Sequence, residues 1–505
     1  MKIIAMYLPQ FYKTKENDLW WGDGYTDWTA VKGAEPLCDG HIQPRVPLDN
    51  NYYNLLDKET MQWQADLMKK YGIDGICMYH YWFKECKRVL DQPEKNLLEW
   101  QEIDMPYCFS WANEKWARSW AKIPSSNSWA KKYEQEIGDL NSEDNVLLEQ
   151  DYGDEKIWEE HFFYLLPFFK DKRYIKIDNK PIFIFYLTYD IECLEKMVNV
   201  WRNLAQENGL PGLYLIGCDP LEWQIEYLDS ILLSEPNEAT KKLSAVQLNG
   251  IRKKLSYDQL WSQILLDSFQ RQKKTYYQGI SGLDETPRQG EGAYMTEYAA
   301  PDKFMFYLNE LMKKSFSVDN ELLFLNAWNE WGEGMYLEPD EFYKYGYLEA
   351  VREAKSNFDE EYISEKKDIK IAEIYNKTQT LFFRTNSNLR VLDNWLFLAQ
   401  RGVSIGDLLK KDGFSHLAIY GMGVVGEHLY RELKNKKLNV DYIIDKRKDQ
   451  MDLDTRIYNI DDELPNTEAV IITVMSDVLN ISMQLKKRGF KTIIINELLN
   501  KYAKM

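Results

Sequence analysis

The chain contains the stretch LLFLNAWNEWGEG at residues 322–334. Its first four residues are apolar, which is typical of a parallel strand that other elements cover on both faces. Amide, indole, carboxylate and glycine residues follow at once. This change predicts a buried parallel strand over Leu322–Ala327 that ends in a polar loop.

Seven further β-rich runs precede this stretch, and amphipathic helical segments separate many of them. Eight such units within about 350 residues predict an α/β fold, a (β/α)8 barrel of the TIM type with inserted loops. An open doubly wound sheet is the alternative. The other predicted strands are Lys2–Leu8, Gly75–Tyr81, Pro106–Trp111, Pro181–Leu187, Leu213–Cys218, Ser230–Ser234 and Thr275–Ile280. The predicted helices are Lys58–Tyr71, Trp158–Phe169, Asp190–Asn208, Tyr257–Gln272 and Pro301–Lys314.

A second, smaller domain is predicted after a charged stretch at Asn357–Ala372. We expect the barrel to occupy residues 1–356, a linker or helical connector to occupy 357–412, and a Rossmann-like α/β domain to occupy 413–505. The four strands predicted in this last part are His416–Tyr420, Val440–Ile444, Ala469–Val474 and Lys491–Ile495.

Composition narrows the possible functions. The 505 residues include 63 Lys and Arg against 80 Asp and Glu, a formal net charge of −17. Such a negative field repels phosphate backbones, so we expect no nucleic-acid partner. No apolar run reaches the roughly 18 residues that a transmembrane helix requires. Aromatic residues make up 14% of the chain, a share that suits a sugar-binding site or, more simply, an aromatic core.

The six cysteines form no CxxC pair, and the first residues resemble a strand that runs into a loop rather than a signal peptide. We therefore expect reduced thiols and a cytoplasmic location. The chain has no HxxxH motif and no cysteine cluster, so no metal site is expected.

Two carboxylates, Glu330 and Glu333, follow the eighth predicted strand. The reacting groups of a barrel lie at the C-terminal ends of its strands. A carboxylate pair suits glycosidic-bond chemistry, because one group exchanges a proton with the leaving oxygen while the other assists attack at the anomeric carbon. Solvated loop carboxylates are the alternative, but the surrounding Trp, Asn and Gly residues favour a catalytic pair.

Aromatic, amide and charged residues also follow the other predicted strands, as expected for a sugar pocket. His80 could instead be a packed core histidine, and Glu114 could orient Lys115 or Arg118. The candidate substrate-binding residues are Tyr7, Gln10, Trp21, Trp28, His80, Tyr81, Trp82, Trp111, Asn113, Glu114, Trp116, Glu235, Asp284, Arg288, Trp328, Asn329 and Trp331.

These motifs occur in an order that resembles the WbsX-type proteins, which are glycoside hydrolase family 99-like barrels. The resemblance runs from about residue 2 to residue 350 and is carried by LPQF (8–11), WWGDGYTDWT (20–29), HIQPRVPLD (41–49), MYHYWF (78–83), WANEKWARSW (111–120), LDETPR (283–288) and WNEWGEG (328–334). Proteins of this type are often labelled glycosyltransferases. They are associated with the synthesis of bacterial surface polysaccharides such as the O-antigen of lipopolysaccharide.

The resemblance implies roles for the two carboxylates. The related family 99 enzymes are retaining, endo-acting α-mannoside hydrolases or transglycosylases. By position, Glu330 would take the proton from the sugar's own 2-hydroxyl, whose oxygen then closes on the anomeric carbon as a 1,2-anhydro intermediate. Glu333 would protonate the leaving oxygen and then act as base for water or an acceptor hydroxyl.

The C-terminal region carries the sequence IYGMGVVG at 419–426, in which Gly421, Gly423 and Gly426 form a GxGxxG motif between a strand and a helix. Asp445 ends the next predicted strand. This arrangement is typical of a dinucleotide fold and indicates a possible nucleotide or nucleotide-sugar site. A docking domain without a ligand is the alternative, because glycines in such a turn also serve strand–helix packing.

Together these features predict an enzyme that cleaves or transfers glycosidic bonds in an oligosaccharide or polysaccharide, with no cofactor in the barrel. Partners within a polysaccharide-synthesis assembly are possible. Two other functions stay open: a glycosyltransferase that uses a nucleotide sugar, and a non-catalytic glycan-binding protein.

Overall fold

The computed structural model describes residues 1–38, 40–117, 146–243, 246–248, 251–266, 273–362, 388, 391–446, 453–474 and 478–503. The chain divides into two compact units, Met1–Glu373 and Ile374–Met505. Helix Gly346–Tyr362 continues beyond residue 356, the predicted end of the barrel. Residues 363–387 and 389–390 of the predicted connector lie outside the described ranges, so the three predicted boundaries stay predictions.

The first unit is a parallel β-barrel, as the sequence predicts. Eight strands pair with their neighbours in parallel, and β8 pairs with β1, which excludes the open doubly wound sheet. The seventh strand is interrupted at Tyr277, where its first part pairs with β6 and its second part with β8. The strands are β1 Lys2–Tyr7, β2 Gly75–His80, β3 Tyr107–Trp111, β4 Lys180–Phe185, β5 Tyr214–Cys218, β6 Ser230–Leu232, β7 Thr275–Tyr276 with Gln278–Ile280, and β8 Leu322–Asn326.

The barrel strands are almost entirely buried because helices pack on their outer side. The predicted helix Lys58–Tyr71 has the bounds that the structure gives it, and the helices predicted from Tyr257 and Pro301 begin at the observed residues. Where the other described helix ends differ from the predicted ones, they do so by one to four residues. Residues 267–272 of the predicted helix Tyr257–Gln272 lie outside the described ranges. The helices are α1 Lys15–Trp21, α2 Asp27–Gly33, α3 Lys58–Tyr71, α4 Gln92–Glu99, α5 Glu155–Lys170, α6 Leu194–Glu207, α7 Asn237–Lys242, α8 Tyr257–Leu266, α9 Thr286–Gln289, α10 Pro301–Phe316 and α11 Gly346–Tyr362.

The loops of the barrel contain short additional strands. The most important pair for the site is an antiparallel pair directly after β8, formed by Asn329–Glu330 and Met335–Tyr336. The remaining short strands are Trp116–Ala117, Val146–Leu148, Lys176–Ile177, Val246–Leu248, Ile251–Ser256 and Tyr294–Glu297.

The second unit contains a five-stranded parallel sheet, which includes the four strands predicted from the sequence and a fifth at Ile457–Tyr458. In chain order its strands are β9 His416–Tyr420, β10 Asn439–Ile444, β11 Ile457–Tyr458, β12 Ala469–Ile472 and β13 Thr492–Ile494. They lie in the order β11-β10-β9-β12-β13. Its helices include α12 Ile405–Lys411, α13 Val424–Asn435, α14 Val478–Lys487 and α15 Ile495–Ala503. Within the described part of both units, no helix has the length and apolar character needed to cross a membrane.

Candidate functional site

The two carboxylates lie in a tight turn at the C-terminal end of the barrel. A 3-10 turn at Trp331–Glu333 joins the two short strands that follow β8. Gly334 ends this turn with φ +62°, and a Cβ atom there would lie 2.7 Å from the Cβ of Asp284. A glycine is therefore required at this point both by the backbone and by the close approach of the neighbouring loop.

One arginine contacts both carboxylates. Nη2 of Arg288 donates to Oε2 of Glu330 over 2.9 Å, and Nη1 donates to Oε1 of Glu333 over 2.5 Å. The planar guanidinium presents its N–H groups as a fixed fork, so it holds the two carboxylates in a defined relation. No described residue forms a hydrogen bond or an ion pair with the other oxygen of either carboxylate.

A third carboxylate, which the sequence analysis did not select, completes this group. Oδ1 of Asp27 accepts a hydrogen bond of 3.1 Å from Nε of Arg288, and Oδ2 accepts one of 3.2 Å from the backbone amide of Gly332. A Cβ atom on Gly332 would lie 2.5 Å from Nε of Arg288. The absence of a side chain at this position therefore makes room for the arginine.

The environments of the two glutamates differ. The side chain of Glu330 is 7% exposed, whereas that of Glu333 is 30% exposed. Burial raises the pKa of Glu330 to about 8. Arg288 acts in the opposite direction, and the charges of Glu333 and Asp27 add to the rise. Glu330 is thus a buried carboxyl with a high proton affinity, next to a partner that water reaches.

Three tyrosines and one further carboxyl surround the pair. Burial raises the pKa values of Tyr79, Tyr81 and Tyr186, and each also senses the charge of Glu333. The rings of Tyr79 and Tyr186 meet edge to face with centroids 5.9 Å apart. Burial raises the pKa of Glu114 to about 8, with contributions from Glu333 and Asp190. The structure therefore brings Tyr81, Glu114 and Arg288 of the predicted set to the carboxylates.

Tyr79 and Tyr186 belong to this group although the sequence analysis did not select them. Tyr79 lies one residue before His80 in β2, and Tyr186 directly follows β4. Since side chains alternate along a strand, the selection of Tyr81 also indicated Tyr79 on the same face. The position after a barrel strand was the available signal for Tyr186.

Several predicted substrate contacts are engaged within the protein instead. Oδ1 of Asn329 accepts from the backbone amide of Leu8 over 2.8 Å, and its Nδ2 donates to the Leu8 carbonyl over 3.0 Å. Nε1 of Trp331 donates to Glu338 over 2.7 Å, and the hydroxyl of Tyr7 donates to Gln64 over 2.7 Å. The core behind the turn therefore contains Asn329, Trp331, Tyr7 and the fully buried Trp328.

Glu338 is the buried residue around which this core is organised, and the sequence analysis did not select it. It accepts hydrogen bonds from Trp331, from the hydroxyl of Tyr53 over 2.8 Å and from Gln64 over 2.7 Å. Burial raises the pKa of Glu338 to about 7, although these hydrogen bonds lower it. Its carboxyl therefore fixes the back of the turn rather than facing the two glutamates.

His80 is a packed core residue, the alternative that its sequence context left open. Its Nε2 lies 2.9 Å from Nε2 of His161, and its Nδ1 lies 3.2 Å from Glu94. Trp82 stacks on His161 with ring centroids 4.4 Å apart, and Nε1 of Trp111 donates to the Trp82 carbonyl over 3.0 Å. These three predicted contacts consequently face the helix layer around α4 and α5.

Three other predicted polar contacts hold loops together. Asn113 exchanges two hydrogen bonds with the backbone of Leu187, each 2.8 Å long. Glu235 accepts from the amide of Ala239 over 3.0 Å. Asp284 accepts from Gln43 over 2.8 Å and from the hydroxyl of Thr286 over 2.6 Å, and it also pairs with His41.

The remaining aromatic candidates pack against neighbouring aromatic rings; they are Trp21, Trp28 and Trp116. The last candidate, Gln10, is half-buried.

In the second unit, the structure brings the predicted glycines and Asp445 together. Oδ2 of Asp445 accepts from the backbone amide of Met422 over 2.7 Å. Gly421 has φ +94°, and a Cβ atom on Gly426 would lie 2.0 Å from the carbonyl oxygen of Gly421. Backbone conformation and packing alone therefore require glycine at positions 421 and 426. A Cβ atom on Gly423 would meet nothing within 4 Å, so the space before α13 is open.

The described residues contain no group of three or more His, Cys, Asp or Glu side chains arranged to hold a metal ion.

Comparison with known proteins gives the family. The family model described as "Glycosyltransferase WbsX" matches residues 3–351. A curated protein of Xanthomonas campestris pv. campestris, "Uncharacterized protein WxcX", is 30% identical over 365 residues, which are 70% of this chain and 49% of that protein. The chain thus spans about half the length of the curated relatives it matches.

Among solved structures, the GH99 endo-α-mannosidase from Bacteroides thetaiotaomicron aligns with 72% of this chain and 98% of its own at 13% identity, with a TM-score of 0.44. A family 5 xyloglucanase from Paenibacillus pabuli aligns with 71% of this chain and 98% of its own at 10% identity, with a TM-score of 0.35. The family model covers more than half of the chain. The chain therefore belongs to the WbsX glycosyltransferase family.

Proposed function

We propose that this chain is a carbohydrate-active enzyme that cleaves or transfers glycosidic bonds, with Glu330 and Glu333 as its catalytic carboxyl groups. One observation carries the proposal: a single guanidinium holds both carboxylates at the C-terminal end of a barrel strand and contacts only one oxygen of each. The second oxygen of each group is the one that would meet the sugar. Family membership supports the same class of substrate.

The proposed chemistry has two steps, with the roles that the family resemblance implies. Glu330 takes the proton of the sugar's 2-hydroxyl, and that oxygen bonds to the anomeric carbon as the leaving oxygen departs with a proton from Glu333. Glu333 then removes a proton from water or an acceptor hydroxyl, whose oxygen opens the 1,2-anhydro ring, and the 2-oxygen recovers its proton from Glu330. A hydroxyl is a much weaker acid than a carboxyl, so a base with a raised pKa suits the first step.

The substrate is proposed to be an α-mannoside-like unit of a bacterial surface polysaccharide, handled in the cytoplasm. The resemblance of the barrel motifs supports this class. Tyr79, Tyr81 and Tyr186 supply aromatic and hydroxyl groups next to the carboxylates, which suits a sugar ring with its apolar faces and polar edges. Water as the second acceptor would make the enzyme a hydrolase, and a sugar hydroxyl would make it a transferase.

A nucleotide-sugar-dependent transferase is the second candidate, and one feature of the second unit favours it. Gly423 has an ordinary negative φ and no neighbour that a side chain would touch, so the protein itself does not require a glycine there. Close approach of a phosphate to the N-terminus of α13 would explain it.

The test is turnover of α-linked oligosaccharides, with and without nucleotide sugars, followed by mass spectrometry. The wild type is compared with Glu330→Gln and Glu333→Gln, and Glu353→Gln on the exposed face of α11 serves as the matched control. We expect both active-site variants to lose at least about 100-fold in turnover without any nucleotide-sugar requirement. Product formed only with a nucleotide sugar would favour the second candidate. No turnover by the wild type, with glycan binding intact in both variants, would indicate a glycan-binding protein.

A further inference from the structure

Asp27 is the best-placed buried group for which the proposed chemistry has no direct role. It occupies the first position of α2, is 1% exposed and uses both carboxylate oxygens. Oδ1 lies 3.1 Å from Nε and 3.0 Å from Nη2 of Arg288, while Oδ2 accepts from the amide of Gly332. It thus contacts both the cation between the glutamates and the turn between them.

We propose that Asp27 is a positioning residue of the carboxylate pair: it fixes the guanidinium of Arg288 and the backbone of Gly332 so that Glu330 and Glu333 keep one relative geometry. This inference rests on the proposed function for its catalytic meaning. The contacts themselves do not depend on turnover.

The geometry explains why a carboxylate is needed at this position. All of the groups that face Asp27 in these contacts are N–H donors, two from the arginine and one from the turn. An Asn side chain would present one oxygen and one NH₂ group, so one donor would meet another donor. Either Arg288 or the backbone amide of Gly332 would then lose its acceptor.

The charge of Asp27 matters as well as its shape. Within hydrogen-bonding distance of the single guanidinium lie Asp27, Glu330 and Glu333, three carboxylates for one cation. The other titratable groups that face this set are Tyr25, Tyr79, Tyr81 and Tyr186, with Glu114 on the side of Glu333. Removing the charge of Asp27 leaves more of the arginine's field to Glu330 and favours its ionised form.

Asp27→Asn tests the proposal, with Asp23→Asn as the matched control because Asp23 is exposed and lies on the preceding loop. Chains labelled with ¹³C at the Glu carboxyl carbon are titrated by NMR, and the Glu330 resonance is identified by its loss in Glu330→Gln. We expect the pKa of Glu330 to fall by about one pH unit in Asp27→Asn and to stay unchanged in the control.

Kinetics on the same variants gives a second measurement. Because both carboxylate oxygens of Asp27 are engaged by Arg288 and Gly332, kcat should fall by about 10–100-fold while KM changes less than about threefold. If Asp27→Asn fails to fold, Arg288→Lys tests the same geometry, since an ammonium cannot reproduce the fork. In Arg288→Lys the pKa of Glu330 should rise, because its carboxylate loses the guanidinium contact.

Two results separate this proposal from the proposed function. An Asp27→Asn variant that is less stable but keeps the wild-type Glu330 titration and pH profile would make Asp27 a purely structural residue and overturn the inference. A wild type without glycosidic turnover, combined with a shifted Glu330 titration in Asp27→Asn, would support the positioning contact and overturn the enzymatic proposal alone.

Discussion

The backbone amide of Asp284 donates a hydrogen bond of 2.6 Å to the carbonyl oxygen of Glu333. The loop after β7 therefore supports the turn that carries the carboxylate pair. Arg288 follows four residues later in the short helix α9, so one segment fixes the backbone of Glu333 and also supplies the cation that contacts its side chain. His41 and Gln43 hold this loop from the other side by contacts of 2.9 and 2.8 Å to Asp284.

Asp284→Asn should destabilise the barrel at neutral pH. Burial by itself would raise the pKa of Asp284, but hydrogen bonds from His41, Thr286 and Gln43 lower it from its usual 3.8. A carboxylate with a lowered folded-state pKa stabilises the fold above its unfolded pKa, and this contribution is lost as the pH falls through the folded value. We expect a loss of about 1–3 kcal/mol in the free energy of unfolding at pH 7.

Urea unfolding monitored by tryptophan fluorescence measures this difference. The difference in unfolding free energy between the wild type and Asp284→Asn should narrow only below about pH 4, as the wild-type carboxylate becomes protonated. An Asn variant as stable as the wild type at pH 7 would show that the buried contacts to Asp284 contribute nothing to the fold.

Gly332→Ala should reduce turnover more than it reduces stability. The added methyl group would lie 2.5 Å from Nε of Arg288, so the guanidinium must move away from its position between the glutamates. We expect a loss of at least about 10-fold in kcat, because small displacements of catalytic groups are costly. Gly292→Ala is the control, since a Cβ atom there meets nothing within 4 Å. Equal activity of the two alanine variants would contradict the role given to Arg288.

Local patterns were sufficient to predict the fold. Each barrel strand is a short apolar run bounded by a polar loop, so its position can be predicted without knowledge of its neighbours. All eight predicted strands are confirmed, and the registers Lys2↔Leu322 and Ala5↔Leu325 close the barrel between β8 and β1. The glutamate pair could be proposed for the same reason, because it directly follows a strand.

The direction of individual side chains was harder to predict. His80 and Asn329 were selected because they lie at the ends of predicted strands, next to Tyr81 and Glu330, yet neighbouring residues of a strand point to opposite faces. His80 accordingly faces His161 on α5, and Asn329 faces the backbone of Leu8. Asp27 could not be identified from the sequence, because roughly 300 positions separate it from Gly332 and only closure of the barrel brings them together.

The glycines of the second unit should separate packing from ligand binding. Gly426→Ala would place its Cβ atom 2.0 Å from the carbonyl oxygen of Gly421, so we expect it to destabilise this unit by at least about 2 kcal/mol. Gly423→Ala has open space and should keep the wild-type melting temperature. Calorimetric titration with UDP-sugars and GDP-sugars then tests binding. If the wild type binds one of them and Gly423→Ala does not, the nucleotide-sugar site is supported; no binding by the wild type would favour a docking domain.

The pH dependence of turnover should reveal the roles of the two glutamates. If Glu330 is the base, it must be ionised before it can take the proton of the 2-hydroxyl. Because burial raises its pKa to about 8, we expect kcat/KM to rise with pH through this region. In Asp27→Asn this rise in kcat/KM should move to lower pH, since the charge of Asp27 contributes to the raised pKa of Glu330.

Initial rates with an α-linked substrate between pH 5 and pH 10 provide the measurement. A limb that falls through about pH 8 would instead show that protonated Glu330 is the active form, and the acid and base roles of Glu330 and Glu333 would have to be exchanged.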